Sequence, residues 1–284
     1  MSRKRFAGRV AAITGAASGM GRALALELAR HGCHLALSDI DDAGLAETAR
    51  MAACDGVTLT RTRVDTADRD AVYAWAGQVV NEHGRVNLLF NNAGVSLSAP
   101  LADVTQADFD WIMGINFWGV VWGTQAFLPH LTASGEGHIV NTSSLFGLMS
   151  APLNGSYNAS KFAVRGYTEA LRMELEVSGS CVSATCVHPG GVRTEIARRG
   201  RMSDGVEAFT GQTVEAARAA FDQMLNVTSA HEAAQRILRG VMRNERRVLV
   251  GRDAWWADKL VRVLGPAYQK LVVRAMRRAR ARST

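Results

Sequence analysis

The sequence predicts an α/β fold: a single doubly wound parallel seven-stranded sheet with helices on both faces, plus a basic amphipathic C-terminal extension. Three observations predict it. Apolar runs of strand length alternate with helix-length segments over residues 1–250. The first run ends in a glycine-rich turn that opens a helix. No Pro/Ser-rich linker or internal repeat divides the 284 residues, a length sufficient for one large core.

The elements follow in order. Val10–Thr14 reads as a buried strand, and Met20 to His31, rich in Ala, Leu, Glu and Arg and stopped by Gly32, reads as a helix. His34–Ser38 is a second strand ending at Asp39, and Thr58–Val64 a third ending at Asp65. Val72, Trp75, Ala76, Val79 and Val80 carry helical spacing. Val86–Phe90 is a fourth strand, closed by Asn91-Asn92-Ala93-Gly94. One long helix is expected from Asp108 to His130, with Pro129 marking its end. His138–Thr142 is a fifth strand, and a helix runs from the Tyr157 segment to Val177. Val182–His188 is a sixth strand, stopped by Pro189-Gly190-Gly191, and Arg247–Val250 a short seventh.

Composition bounds the function. Hydrophobic residues make up 48% and charged residues 21%, ordinary for a globular chain. No apolar run reaches bilayer length, and the basic start at Ser2–Arg5 lacks a signal core, so a cytoplasmic protein is expected. Cys33, Cys54, Cys181 and Cys186 have neither CxxC nor zinc spacing, which fits a reduced compartment. The net charge of +7 is uneven: residues 246–284 carry eleven Lys and Arg against two acids, and the remainder sums to −2. The basic pI therefore belongs to the tail and does not signal a nucleic-acid-binding domain.

Chemistry-bearing residues sit at the strand ends. Thr14-Gly15-Ala16-Ala17-Ser18-Gly19-Met20-Gly21 is a GxxxGxG turn between strand and helix. Glycines there let backbone N–H groups approach a pyrophosphate at the helix N-terminus, as in a Rossmann-like domain. Asp39, about 20 residues past the glycines, is placed to accept from the adenosine ribose hydroxyls and repel a 2′-phosphate, favouring NAD over NADP. Arg22 is the counter-signal. Asp65 either accepts from the adenine amino group or caps the following turn. Tyr157 and Lys161 are four apart, on one helix face, where an ammonium is expected to lower the phenol pKa and fit the tyrosine for acid/base work. No histidine or acid cluster calls for a metal, and His188 before Pro189 reads as structural.

Together these pieces resemble the short-chain dehydrogenase/reductase family over roughly residues 6–250. The matching motifs are TGAASGMG at Thr14–Gly21, NNAG at Asn91–Gly94, Asn116, Ser144, YNASK at Tyr157–Lys161, and Pro189-Gly190 followed by Thr194. The resemblance implies that Tyr157 is the general acid/base. Lys161 would tune it and hold the nicotinamide ribose, and Ser144 would hydrogen-bond the reacting oxygen, with Ser143 the register alternative. Asn116 would anchor a proton-relay water. It implies cofactor contacts from Gly15, Ser18, Gly19, Met20, Gly21, Asp39, Asp65, Asn91, Ala93, Gly94, Tyr157, Lys161, Pro189, Gly190, Val192 and Thr194. A homodimer or homotetramer is expected, as the family commonly forms oligomers.

Residues 1–252 then form the cofactor-binding and catalytic domain, with a substrate lid at about 195–228, and residues 253–284 form the extension. Ser96, Leu97, Phe146, Met149, Leu153 and Asn154 fall near the reacting carbon, and Ser96, Phe146 and Asn154 are the substrate candidates. The apolar wall suits a hydrophobic or mid-sized alcohol or ketone. The tail interleaves Trp255, Trp256, Leu260, Val263, Leu264, Tyr268, Leu271, Val272 and Met276 with Lys and Arg, and Pro266 breaks it into two helices. It either packs on the body or a neighbouring subunit, or meets a membrane surface or anionic partner. The function expected is an NAD-dependent oxidoreductase interconverting a secondary alcohol and a ketone. The alternatives are an NADP-dependent carbonyl reductase and a cofactor-binding regulatory protein without turnover.

Overall fold

A computed structural model describes residues 6–283, with side chains described to residue 281; the basic residues at 2–5 lie outside the described part. In chain order the elements are β1 (Val10–Thr14), α1 (Gly19–Arg30), β2 (His34–Asp39), α2 (Asp42–Ala52), β3 (Leu59–Arg63) and α3 (Arg69–His83). Next come β4 (Leu88–Asn91), β5 (Leu97–Ser98), α4 (Gln106–Met113), a π-helical turn (Gly114–Trp118), α5 (Gly119–Ala133), β6 (Gly137–Thr142) and α6 (Gly155–Val177). The chain continues through β7 (Val182–Pro189), α7 (Ile196–Arg199), β8 (Arg201–Met202), α8 (Gly205–Thr210), α9 (Val214–Met224) and α10 (Ala230–Met242). It ends with β9 (Arg247–Val250), α11 (Arg252–Leu264) and α12 (Tyr268–Ser283).

The main sheet has seven parallel strands in the order β3-β2-β1-β4-β6-β7-β9. Strand alternation divides the core. Ile13, Leu35 and Leu37 face α1 and α10 through Leu24, Leu28, Ile237 and Leu238. Ala12, Leu89 and Ile139 face the other layer, built on Trp75, Val79, Phe127, Leu131 and Leu171 of α3, α5 and α6. With both faces covered, inner strands are apolar throughout, whereas β3, Leu-Thr-Arg-Thr-Arg at the edge, alternates. The order reverses between β1 and β4, which puts the ligand crevice beyond their C-terminal ends.

Two features depart from the sequence expectation. The helix expected from Asp108 to His130 starts at Gln106, capped by Thr105, and is divided by the π-helical turn. Nor does Pro129 end it: α5 runs on to Ala133, because Phe127 and Leu131 on either side of the proline are fully buried against the sheet. The packing on that face offsets the intrahelical bond that the proline removes. An additional helix, α2, buries only Leu45, Thr48 and Ala52. No described helix is long and apolar enough to cross a membrane.

The segment expected to form a lid, α7 to α9, is held to the body at β8 and braced within itself. β8 pairs with β5, and Arg218 of α9 donates to the carbonyls of Ala197 and Gly200, both at 2.8 Å. The tail docks on the body in two helices separated at Pro266. Asp258 of α11 pairs with Arg247 of β9 at 3.1 Å, and Tyr268 Oη accepts from Ser150 N at 2.9 Å.

Candidate active site

The site grows from the ends of β1 and β4. Thr14 Oγ1 accepts from the amides of Asn92 and Ala93 at 2.9 and 3.0 Å, closing the two strand ends onto each other. Gly15 takes φ +66°, and a Cβ there would lie 2.8 Å from Ala93 Cα. Only glycine fits that backbone conformation and that approach. One turn on, a Cβ at Gly21 would strike the Gly15 carbonyl. The glycines thus leave an open floor ahead of α1, whose free N–H groups suit a pyrophosphate.

That floor belongs to a cavity of about 350 Å³. Of the cofactor residues expected from sequence, Gly15, Ser18, Gly19, Met20, Asp39, Asp65, Ala93, Gly94 and Thr194 line it. Asp39 Oδ2 accepts from Ala17 N at 2.9 Å, so the carboxylate organises the glycine turn while facing the cavity. Arg22 is committed elsewhere: it donates to Thr48 Oγ1 and Ala17 O and pairs with Glu47 at 2.9 Å. Asp65 accepts from Ala67 N in its own turn, and the cap of α3 is Asp68. Across the mouth, Arg199 of α7 reaches Asp41 at 3.2 Å and Glu195 at 2.7 Å.

Other expected cofactor residues stand apart from the cavity. The Asn91 side chain is turned into the interior, donating to Asn141 Oδ1 at 2.8 Å, with Thr124 and Val120 O further out at 3.2 and 3.4 Å. Its neighbour Asn92 lines the cavity instead and donates to Thr14 O at 3.1 Å. Strand alternation carries the signal, since adjacent residues at a strand end face opposite ways. Val192 packs into the core, and its main chain pairs with Thr228 at the base of the lid. Pro189 ends β7, and Gly190 sits against Asp253, whose carboxylate a Cβ at position 190 would strike.

Two of the catalytic candidates, Asn116 and Lys161, meet at Gly94. A Cβ there would lie 3.2 Å from Asn116 Oδ1 and 3.3 Å from Lys161 Nζ, so Gly94 joins the cavity to these two side chains. Asn116 occupies the π-helical turn and is fully buried. It accepts from Val95 N at 2.8 Å and donates to Val95 O at 3.0 Å and Ser160 Oγ at 3.1 Å. Ser144 Oγ accepts from the Phe146 amide at 3.1 Å, and its side chain also acts on the Tyr157 hydroxyl, lowering the phenol's pKa against burial. Ser143, the register alternative, spends its hydroxyl on Lys161 O at 2.8 Å. His188 Nδ1 holds the Ser144 carbonyl at 2.9 Å, a supporting contact, and burial pushes this imidazole down to about 4.

The electrostatics correct one expectation. The four-residue spacing predicts that Lys161 lowers the Tyr157 pKa. Instead burial raises it, opposed only by the Ser144 hydrogen bond. Lys161 Nζ is turned to Thr142 O at 3.1 Å and lies 5.6 Å from the phenol ring centroid. Burial pushes Lys161 itself down to about 8. Desolvation of both side chains outweighs the ammonium's field at that distance.

Of the substrate candidates, Phe146 stands edge-on to Tyr157 with ring centroids 6.2 Å apart. Ser96 donates to Ile196 O at 2.8 Å and so anchors the lid. Asn154 bonds Pro152 O at 3.1 Å. Sequence reasoning missed Asn92, Trp111, Ile115 and Arg199, which all line the cavity.

Fold and site define a dinucleotide-dependent oxidoreductase, and comparison with known proteins agrees. The short chain dehydrogenase family model matches residues 9–204. A Mycobacterium tuberculosis protein named as an oxidoreductase, SadH, is 48% identical over 267 residues, 94% of this chain and 95% of that protein. The human estradiol 17-beta-dehydrogenase 11 is 31% identical, covering 92% of this chain and 81% of that one. A Burkholderia phymatum short chain dehydrogenase/reductase solved in complex with NAD is 33% identical, with a TM-score of 0.83 over 93% of this chain and 95% of that one. The chain belongs to the short-chain dehydrogenase/reductase family and is an enzyme acting on CH–OH donors with a nicotinamide cofactor.

Proposed function

We propose that the enzyme interconverts a secondary alcohol and a ketone with NAD(H), using Tyr157 as its acid/base. The observation that carries this reading is the buried Tyr157 side chain, with Ser144 acting on its hydroxyl, one helical turn from Lys161, whose ammonium lies beside Gly94. The cofactor, bound along the glycine turn and the cavity, supplies or accepts the hydride. Ser144 and Tyr157 hydrogen-bond the substrate oxygen, where negative charge builds as the carbonyl is reduced. Tyr157 passes its proton to that oxygen, or takes one in the reverse direction. Asn116 and Lys161 border the same point and serve the proton path and the ribose.

Asp39 underlies the preference for NAD, since a carboxylate facing the cavity repels a 2′-phosphate. An NADPH-dependent carbonyl reductase is the second reading, favoured by one observation: the Arg199 guanidinium borders the same cavity. Fluorescence titration with both reduced cofactors decides between them. Tighter NADH binding is expected, and comparable or tighter NADPH binding overturns the Asp39 argument.

Trp111, Ile115 and Val95 on the cavity wall and Phe146 against Tyr157 support a hydrophobic substrate. A screen of alcohols with NAD, read by NADH absorbance, tests it; activity on charged sugars alone overturns it. Tyr157→Phe is expected to lose nearly all turnover while still binding NADH, and retained turnover removes Tyr157 from its role. The exposed Trp118, Phe162 and Met173 support a homodimer or homotetramer, measurable by light scattering. Four unpaired cysteines support a reducing, cytoplasmic setting.

A further inference from the structure

We propose that the outward face of α11, together with the polybasic helix α12, docks on an anionic lipid bilayer. The inference rests on the tail alone and is independent of the enzyme's substrate.

Helix α11 has two unlike faces. Ala254, Ala257 and Asp258 are buried against the body. The opposite stripe, at spacings of three and four, carries Arg252, Trp255, Lys259, Arg262 and Val263, with Trp256 on its border. Trp256 is 61% exposed and Val263 81%. The two indoles stand edge-on with centroids 4.7 Å apart, and Lys259 Nζ lies 5.6 Å from the Trp255 ring centroid. Indoles interleaved with cationic side chains suit the headgroup boundary of a bilayer, where rings enter the acyl region and charges stay with phosphate.

Helix α12 supplies the charge. Tyr268, Val272 and Met276 turn towards the body, which fixes the helix orientation. Lys270, Arg274, Arg277 and Arg278 lie on the other side, exposed, with no carboxylate partner among the described residues. No acidic residue follows Asp258 in the sequence. The helix is too polar to span a membrane, so it lies on the surface.

Charge selects the occupant. A second copy related by a two-fold axis on this face would set Arg252 and Lys259 against their own counterparts, Arg262 being paired with Asp258 at 2.8 Å. A polyanion answers the charge, and the exposed indoles with Val263 favour lipid over a wholly polar polynucleotide. Arg280 of α12 also reaches Ala208 O of α8 at 3.4 Å, so the docked face adjoins the lid.

The test is vesicle co-sedimentation of the full-length chain, with phosphatidylcholine vesicles against phosphatidylcholine/phosphatidylglycerol mixtures. Binding to the anionic vesicles alone, weakened by high salt, is expected. Trp255→Ser with Trp256→Ser, and separately Lys270, Arg274, Arg277 and Arg278 all to Gln, should each reduce the bound fraction about tenfold or more. Both variants should keep the circular dichroism spectrum and NADH binding of the parent. Equal binding to both vesicle types, no binding to the anionic ones, or binding to duplex DNA in place of vesicles overturns the proposal. Full binding by both variants overturns it equally.

Discussion

Ser143 and Ser144 divide one helix between them: Ser143 Oγ donates to the Lys161 carbonyl at 2.8 Å, while Ser144 partners the Tyr157 hydroxyl one turn earlier. One hydroxyl holds the helix and its neighbour faces the chemistry. Ser144→Ala is therefore expected to lower kcat by roughly a hundredfold or more, the scale for removing a donor at a developing oxyanion, with NADH affinity kept. Ser143→Ala should cost about 1 kcal/mol of stability and leave kcat within a few-fold. Steady-state kinetics and urea unfolding of the pair check this; equal kinetic losses would refute the division.

Cofactor choice is expected to turn on Asp39. Asp39→Ser removes the carboxylate facing the cavity and leaves the Ala17 amide a hydroxyl to meet. The ratio of NADPH to NADH dissociation constants should fall about tenfold or more, the effect of losing one close like-charge contact. An unchanged ratio in fluorescence titration would show that the 2′-position is read elsewhere.

The lid offers a smaller, kinetic effect. Arg199 crosses from α7 to Asp41, whose carboxyl is held below its usual range first by the Gly44 amide and also by this guanidinium. Arg199 is exposed and Asp41 only half-buried, so the pair adds little stability. Arg199→Ala should leave the thermal midpoint within about 2 °C, as expected for a surface change of a few tenths of a kcal/mol. NADH release should quicken a few-fold in stopped-flow displacement; an unchanged rate would mean that the bridge does not restrain the mouth.

Acid stability is expected to fall before the carboxylates titrate. Burial pushes His138 and His188 down to about 4 from an unfolded value near 6.5. The unfolded chain binds protons first, so stability is full above about 6.5 and is lost as pH falls towards 4. Each shift of this size amounts to roughly 3 kcal/mol when fully developed. Urea midpoints should drop from pH 7 to pH 5, and His188→Asn should flatten that slope. A midpoint independent of pH in this window would remove the histidines as its cause.

Much of this was legible in the sequence, for physical reasons that differ by element. The inner strands are buried on both faces, so each stands out as an apolar run between polar turns. Helix α2 buries too narrow a stripe to show a period. The π-helical turn has no signature, because a one-residue change in hydrogen-bond register leaves composition untouched. Thr14, the glycines and Asp39 are legible because spacing along one strand-turn-helix unit sets their places. Arg199 and Trp111 reach the cavity through tertiary packing that spacing does not encode. The direction of the Tyr157 shift was likewise hidden, since burial depends on the finished fold.

Asp253, in the first turn of α11, accepts from the Gly191 amide at 2.5 Å and packs on Gly190. The turn after β7 is therefore completed by a residue 62 positions further along the chain, whereas the glycine turn after β1 is closed within its own β1-α1-β2 unit. The first turn is thus self-contained in synthesis, and the second waits for a distant segment to reach it. A chain cut before Asp253 would then be expected to keep the first turn intact and to loosen the second.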